Sequence, residues 1–110
     1  MARDLAWGDL RMVDLGGPQK TRPALVLTRS SAIPYLTGIT VAPITRTIRG
    51  IPTEIPLGVD AGLKTESVAN LDCVQTVHKD RIGRYLGALP VERRAEVRAA
   101  LLFALGLDGR

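Results

Sequence analysis

Between Leu15 and Thr53 the chain carries Lys20, Arg22, Arg29, Arg46 and Arg49 but no Asp or Glu, although it holds 11 acidic residues in all. A stretch that keeps one sign of charge and excludes the other creates a positive local field suited to anions. Twelve of the 15 basic residues are Arg and three are Lys. A guanidinium grips phosphate through a planar, two-pronged contact that an ammonium cannot make. Threonines accompany these cations, among them Thr45 and Thr47, and each hydroxyl adds a short donor. Arginine and threonine together suffice for one reaction, the breaking of an RNA phosphodiester by its own 2′-hydroxyl. There the nucleophile is already part of the substrate. The protein must orient the phosphate and stabilise charge building on its oxygens. Arginine is a poor base because its guanidinium stays protonated far above neutral pH, so a proton moved by Arg22 would need a partly buried, phosphate-rich setting.

The other common catalytic sets are missing. His78 is the single histidine, which excludes a two-histidine ribonuclease pair within one chain. Cys73 and His78 have no second Cys or His to complete a zinc shell, and they read as a small buried thiol and a surface imidazole near a turn. No Gly-x-x-x-x-Gly-Lys loop is present, and Gly16-Gly17 is too short to cradle a nucleotide. Asp72 and Asp80 lack a nearby carboxylate partner for magnesium. Neither a metal nor a cofactor is expected.

These side chains need a rigid frame. The apolar runs Pro23–Leu27 and Ile39–Ile44 each have an Arg or Thr at the edge, which fixes the positive groups to strands. Strands are expected over Leu10–Leu15, Ala24–Thr28, Gly38–Ile44, Thr53–Leu57 and Ser67–Val77. The Ala24–Thr28 run lacks alternation, so burial on both faces is expected. Pro43 marks a sheet edge or a bulge. Pro90 and Glu92 suit a helix start and Gly106 its end. Val97, Leu101 and Leu105, with Ala95 and Leu102 beside them, predict an apolar stripe, while Arg93, Arg94 and Arg98 face solvent. Such a helix would be a lid on the sheet or a dimer contact.

One hundred and ten residues, 45% of them hydrophobic, fit one domain spanning 1–110. A lone cysteine makes an internal disulfide impossible and fits a reducing cytoplasm. Met1–Leu5 has no apolar leader pattern, and no apolar stretch approaches the length of a membrane span.

The run Trp7-Gly8-Asp9-Leu10 to Asp14-Leu15, followed by Lys20-Thr21-Arg22-Pro23-Ala24-Leu25-Val26-Leu27 and Val41-Ala42-Pro43-Ile44-Thr45, resembles the MazF/PemK/Kid toxin family. Gly50–Ile55, the Gly62–Val68 segment and Ala104–Leu107 follow the same pattern. The ordered set extends from Trp7 to Leu107. This resemblance implies an α+β fold, a small SH3-like barrel of mostly antiparallel strands with a C-terminal helix, working as a homodimer. It further implies a metal-independent endoribonuclease that cuts single-stranded RNA, leaving a 2′,3′-cyclic phosphate and a 5′-hydroxyl. The implied partner is a cognate antitoxin whose acidic and apolar segment fills the RNA groove. By position, Arg22 becomes the acid–base and phosphate-stabilising group and Thr45 supports the transition state. Gln19, Lys20, Arg46, Thr47 and Arg49 become RNA contacts.

The chain departs from the family pattern in three places. The loop between the first two strands is several residues shorter at Gly16–Gln19, Trp7 replaces the Arg before Gly-Asp, and Gln75 and His78 replace an arginine and an acid. Two other classes share the barrel. A CcdB-like gyrase poison has no need of the Arg22–Thr45 pair or of a positive groove. A non-catalytic RNA-binding module would want a stacking platform, and the aromatics are only Trp7, Tyr35, Tyr85 and Phe103.

Overall fold

The structure is a computed structural model, and it describes residues 4–109. Seven strands form in chain order: β1 Asp9–Asp14, β2 Thr21–Val26, β3 Gly38–Thr45, β4 Glu54–Leu57, β5 Ser67–Asn70, β6 Gln75–His78 and β7 Ile82–Ala88. The helix α1, Arg94–Ala104, follows them. Every strand pairing is antiparallel. The main path runs β4-β5-β3-β2-β1-β7, with β6 paired to β3 beside it. The expected α+β architecture is therefore present as a curled antiparallel sheet with one C-terminal helix.

Curling follows from the way β3 changes partners. On one side it pairs with β2 along Val41–Pro43. On the other, Gly38–Val41 pair with β6 while Ile44–Thr45 pair with β5. Pro43 falls in the gap between these two partners. Having no N–H to donate, it suits a position where the ladder is interrupted. The sheet bends there, and its two faces bury separate cores.

Leu25 packs with Leu10, Ala42, Ile44, Ile55, Leu71, Val97 and Ala100 in one cluster. Its neighbours Ala24 and Val26 pack with Val13, Ile39, Val41 and Val77 in the other. The β2 run is thus buried on both faces, as its unbroken apolar character predicts. The helix covers the first cluster. Its buried positions are Val97 and Ala100, with Leu101 partly buried, whereas Ala95 and Leu105 are exposed. The apolar stripe thus runs through Ala100 and ends a turn earlier than the four-residue spacing suggests. Arg93 and Arg94 are also less free than expected. Arg93 pairs with Glu96 at 3.0 Å, and the Arg94 guanidinium lies 4.8 Å over the Trp7 ring.

Three other expectations need correction. The Ser67–Val77 stretch is two strands broken by a 3-10 turn at Leu71–Cys73, where the Asn70 side chain accepts from the Asp72 amide at 2.9 Å. Cys73, expected buried, is exposed because that turn swings it off the ladder. Strand β7 is unforeseen. It pairs with β1 through two register shifts around Arg11, so its apolar residues do not alternate. Gly62 and Gly87 hold this edge to the loop before β5, since a Cβ on Gly87 would overlap the Ala61 carbonyl.

Candidate active site

Arg22 and Thr45 meet because of strand register. Ala24 opposes Pro43, Leu25 opposes Ala42 and Val26 opposes Val41. Carried two residues past the last pair, the same register sets Arg22 across from Thr45. With a side-chain period of two, the pair shares its face with Ala24 and Pro43. Pro23 holds Arg22 in an extended conformation, and both residues are only partly exposed at the ends of well-packed strands.

Local hydrogen bonds orient each group. Arg22 Nε donates to the Gln19 carbonyl at 3.3 Å, which leaves the two terminal nitrogens of the fork for a ligand. Thr45 Oγ1 accepts from the Thr47 amide at 3.1 Å, so its own proton is free to be donated. Among the described residues none of Lys20, Arg22, Arg46, Arg49 or Lys64 is in an ion pair, whereas Arg11 and Arg93 are paired with carboxylates. Of these, Arg22, Arg46, Arg49 and Lys64 border a common space, and unpaired cations so placed favour an anionic ligand.

That space is two adjoining clefts. The larger, about 580 Å³, is lined by Arg22, Thr45, Arg46 and Thr47 from β2, β3 and the loop after it, and by Lys64 and Thr65 from the loop before β5. The smaller, about 220 Å³, shares Arg22, Thr45 and Thr47 and adds Gln19, Arg49, Glu54 and Cys73. Glu54 is the carboxylate in this wall, and it pins the β3–β4 loop by accepting from the Arg49 amide at 3.0 Å and the Gly50 amide at 2.9 Å.

The clefts thus collect Gln19, Arg22, Thr45, Arg46, Thr47 and Arg49. Lys20 lines neither. It is exposed in the β1–β2 turn with φ of 53°, a conformation that L side chains rarely adopt. Arg29 also lies outside both clefts. The sequence reading overlooked Lys64 and Thr65, which reach the site from the far side of Glu54, beyond the acid-free stretch. A Lys-Thr pair in a glycine-flanked loop is the local signal. Among the described residues no group of three or more His, Cys, Asp or Glu stands close enough to hold a metal.

A small curled antiparallel sheet with one C-terminal helix, bringing arginine and threonine side chains to two adjoining clefts, defines the class of protein. The chain belongs to the PemK-like, MazF-like toxins of type II toxin–antitoxin systems, whose family model matches residues 4–105. It is 38% identical over 99 residues to Endoribonuclease MazF3 of Mycobacterium tuberculosis, covering 90% of this chain and 96% of that one. Among solved structures it is similar to the M. tuberculosis toxin MazF-mt6, with a TM-score of 0.84 at 37% identity, over 89% of this chain and 96% of that chain. A mycobacterial endoribonuclease in complex with its cognate antitoxin gives a TM-score of 0.83 at 30% identity, over 94% and 97% of the two chains.

Proposed function

We propose that the protein is a toxin that cleaves single-stranded RNA, messenger RNA above all, as a metal-independent, sequence-specific endoribonuclease. The cleft shared by Arg22 and Thr45 carries this reading, because it offers an unpaired guanidinium fork beside a free hydroxyl proton. The scissile phosphate docks there, with its non-bridging oxygens on the Arg22 fork and the Thr45 hydroxyl. Both contacts strengthen as charge builds on the phosphorane. The 2′-oxygen attacks phosphorus, the bond to the 5′-oxygen breaks, and a 2′,3′-cyclic phosphate and a 5′-hydroxyl are left. No water is consumed, and one proton passes from the 2′-oxygen to the 5′-oxygen. Arg22 is the acid–base group for that proton.

Gln19, Lys20, Arg46, Thr47 and Arg49 hold the flanking nucleotides. The cytoplasm is the site of action, a homodimer is the working form, and a cognate antitoxin is the partner. An acidic antitoxin segment would complement the same unpaired cations. A gyrase-directed toxin would have no use for this cleft.

End-labelled RNA incubated with the protein in excess EDTA tests the reading. Cleavage is expected, with 5′ ends that accept phosphate from polynucleotide kinase without prior phosphatase treatment. Dependence on added magnesium, or 5′-phosphate ends, would overturn it. Intact RNA with stalled replication would point to the gyrase reading instead.

A further inference from the structure

Gln75 plays no part in the reaction above, yet it reaches the site. It stands on β6 opposite Val41, and its Nε2 donates to Gln19 Oε1 at 3.1 Å across 56 residues of sequence. Gln19 closes the 3-10 turn Gly17–Gln19. Its carbonyl accepts from Arg22 Nε, and it lines the smaller cleft beside Arg22 and Thr45. One residue therefore touches the arginine, the cleft and Gln75.

A carboxamide carries an acceptor oxygen at one end and two N–H donors at the other. With the oxygen of Gln19 turned to Gln75, its donor end is left for a ligand. Bases differ in what they present to such a group at pyrimidine C4 or purine C6: uracil and guanine carry a keto oxygen there, cytosine and adenine an amino group. We infer that Gln75 is a positioning residue for base selection, setting the polarity of the Gln19 carboxamide so that one subsite beside the scissile phosphate favours a keto base over an amino base. The inference rests on the endoribonuclease reading for its setting and adds to it the chemical class of base selected.

Polarity gives the claim a signature that packing alone does not. An arginine at position 75 can only donate, so Gln75→Arg keeps the preference. A carboxylate can only accept, so Gln75→Glu draws the Gln19 N–H end toward itself and turns the oxygen to the cleft. Gln75→Ala releases the carboxamide to rotate. Added charge changes affinity for every RNA alike and cancels in a ratio between bases.

The test compares the parent and these three variants on a pool of randomised single-stranded RNA, sequencing the new 5′-hydroxyl ends. In parallel, binding is measured for oligonucleotides carrying 2′-deoxyribose at the scissile position and each base in turn beside it. One hydrogen bond is worth about threefold to tenfold in such a ratio. The parent and Gln75→Arg are expected to favour keto bases by that factor at one subsite, Gln75→Ala to fall to about one, and Gln75→Glu to invert the ratio. Parent-like ratios in both Gln75→Ala and Gln75→Glu, or no keto preference in the parent, would overturn the inference. Where a β6 substitution fails to fold by thermal unfolding, Gln19→Ala in the surface turn must abolish the preference, and a retained preference overturns it equally. A parent that binds selectively without cutting would defeat the endoribonuclease reading alone.

Discussion

Thr45 carries its instructions in one hydrogen bond. The Thr47 amide occupies a lone pair of its hydroxyl at 3.1 Å, so the proton is what remains for the phosphate. Thr45→Ser is expected to keep most of the activity, whereas Thr45→Val should lower single-turnover cleavage about tenfold to a hundredfold with the fold intact. Equal loss in both variants would show that the methyl group matters rather than the hydroxyl. Lys20 makes a different case. Its φ of 53° with ψ of −141° costs an L residue of order 1–3 kcal/mol, part of which a more flexible glycine gives back in entropy. Lys20→Gly should raise stability to denaturant by up to about 1 kcal/mol and weaken RNA binding; a fall in stability would contradict the strain. At this scale Arg22 and Thr45 were singled out through the resemblance to the MazF/PemK toxins, and what local pattern adds is only that each ends an apolar run bearing a proline, where a strand has a definite end. Cys73 was not legible, because its exposure depends on a 3-10 turn held by the Asn70 side chain, which hydrophobic pattern does not encode.

Among the elements, the loop from Gly58 to Glu66 brings Lys64 and Thr65 to the cleft, and its position rests on contact with β7. Gly87 has no room for a Cβ against Ala61. Gly87→Ala is therefore expected to cost about 1–3 kcal/mol and to lower cleavage by moving the far wall of the site. Chemical denaturation and RNA cleavage on the same sample would check both, and an unchanged midpoint would refute the close packing. The Ala24–Thr28 run, the place of Pro43 and the approximate span of α1 follow from local pattern. Strand β7 does not, since register shifts at Arg11 and two glycines break the alternation by which a strand is recognised. The helix stripe ends a turn earlier than four-residue spacing suggests, because that spacing ignores the small residue Ala100, which is as buried on the core face of α1 as Val97.

For the molecule as a whole, two cores share one sheet, and Leu25 and Val26 face opposite sides of it with no exposed surface. The unpaired cations meanwhile gather at the strand ends. The net charge of +4 understates this, because Arg11 and Arg93 are neutralised locally and the cleft cations are not. Affinity for single-stranded RNA should therefore fall with salt, with a log–log slope of about 0.7 per phosphate neutralised, and Arg49→Ala should reduce that slope by about 0.7. A slope unaffected by Arg49→Ala would remove that residue from the RNA path. The positive stretch was legible in the sequence as an absence of acids, but the inclusion of Lys64 in its field depends on chain folding across Glu54.

The most direct measurement is the single-turnover cleavage rate of Arg22→Ala at saturating protein, with RNA binding followed in parallel. If the guanidinium stabilises the transition state, the rate should fall by about 10²–10³ or more, while affinity for the uncut RNA drops by less than about tenfold. Cleavage by Arg22→Ala within about threefold of the parent rate, at equal occupancy, would contradict the account, since a single lost donor of this kind is expected to cost far more.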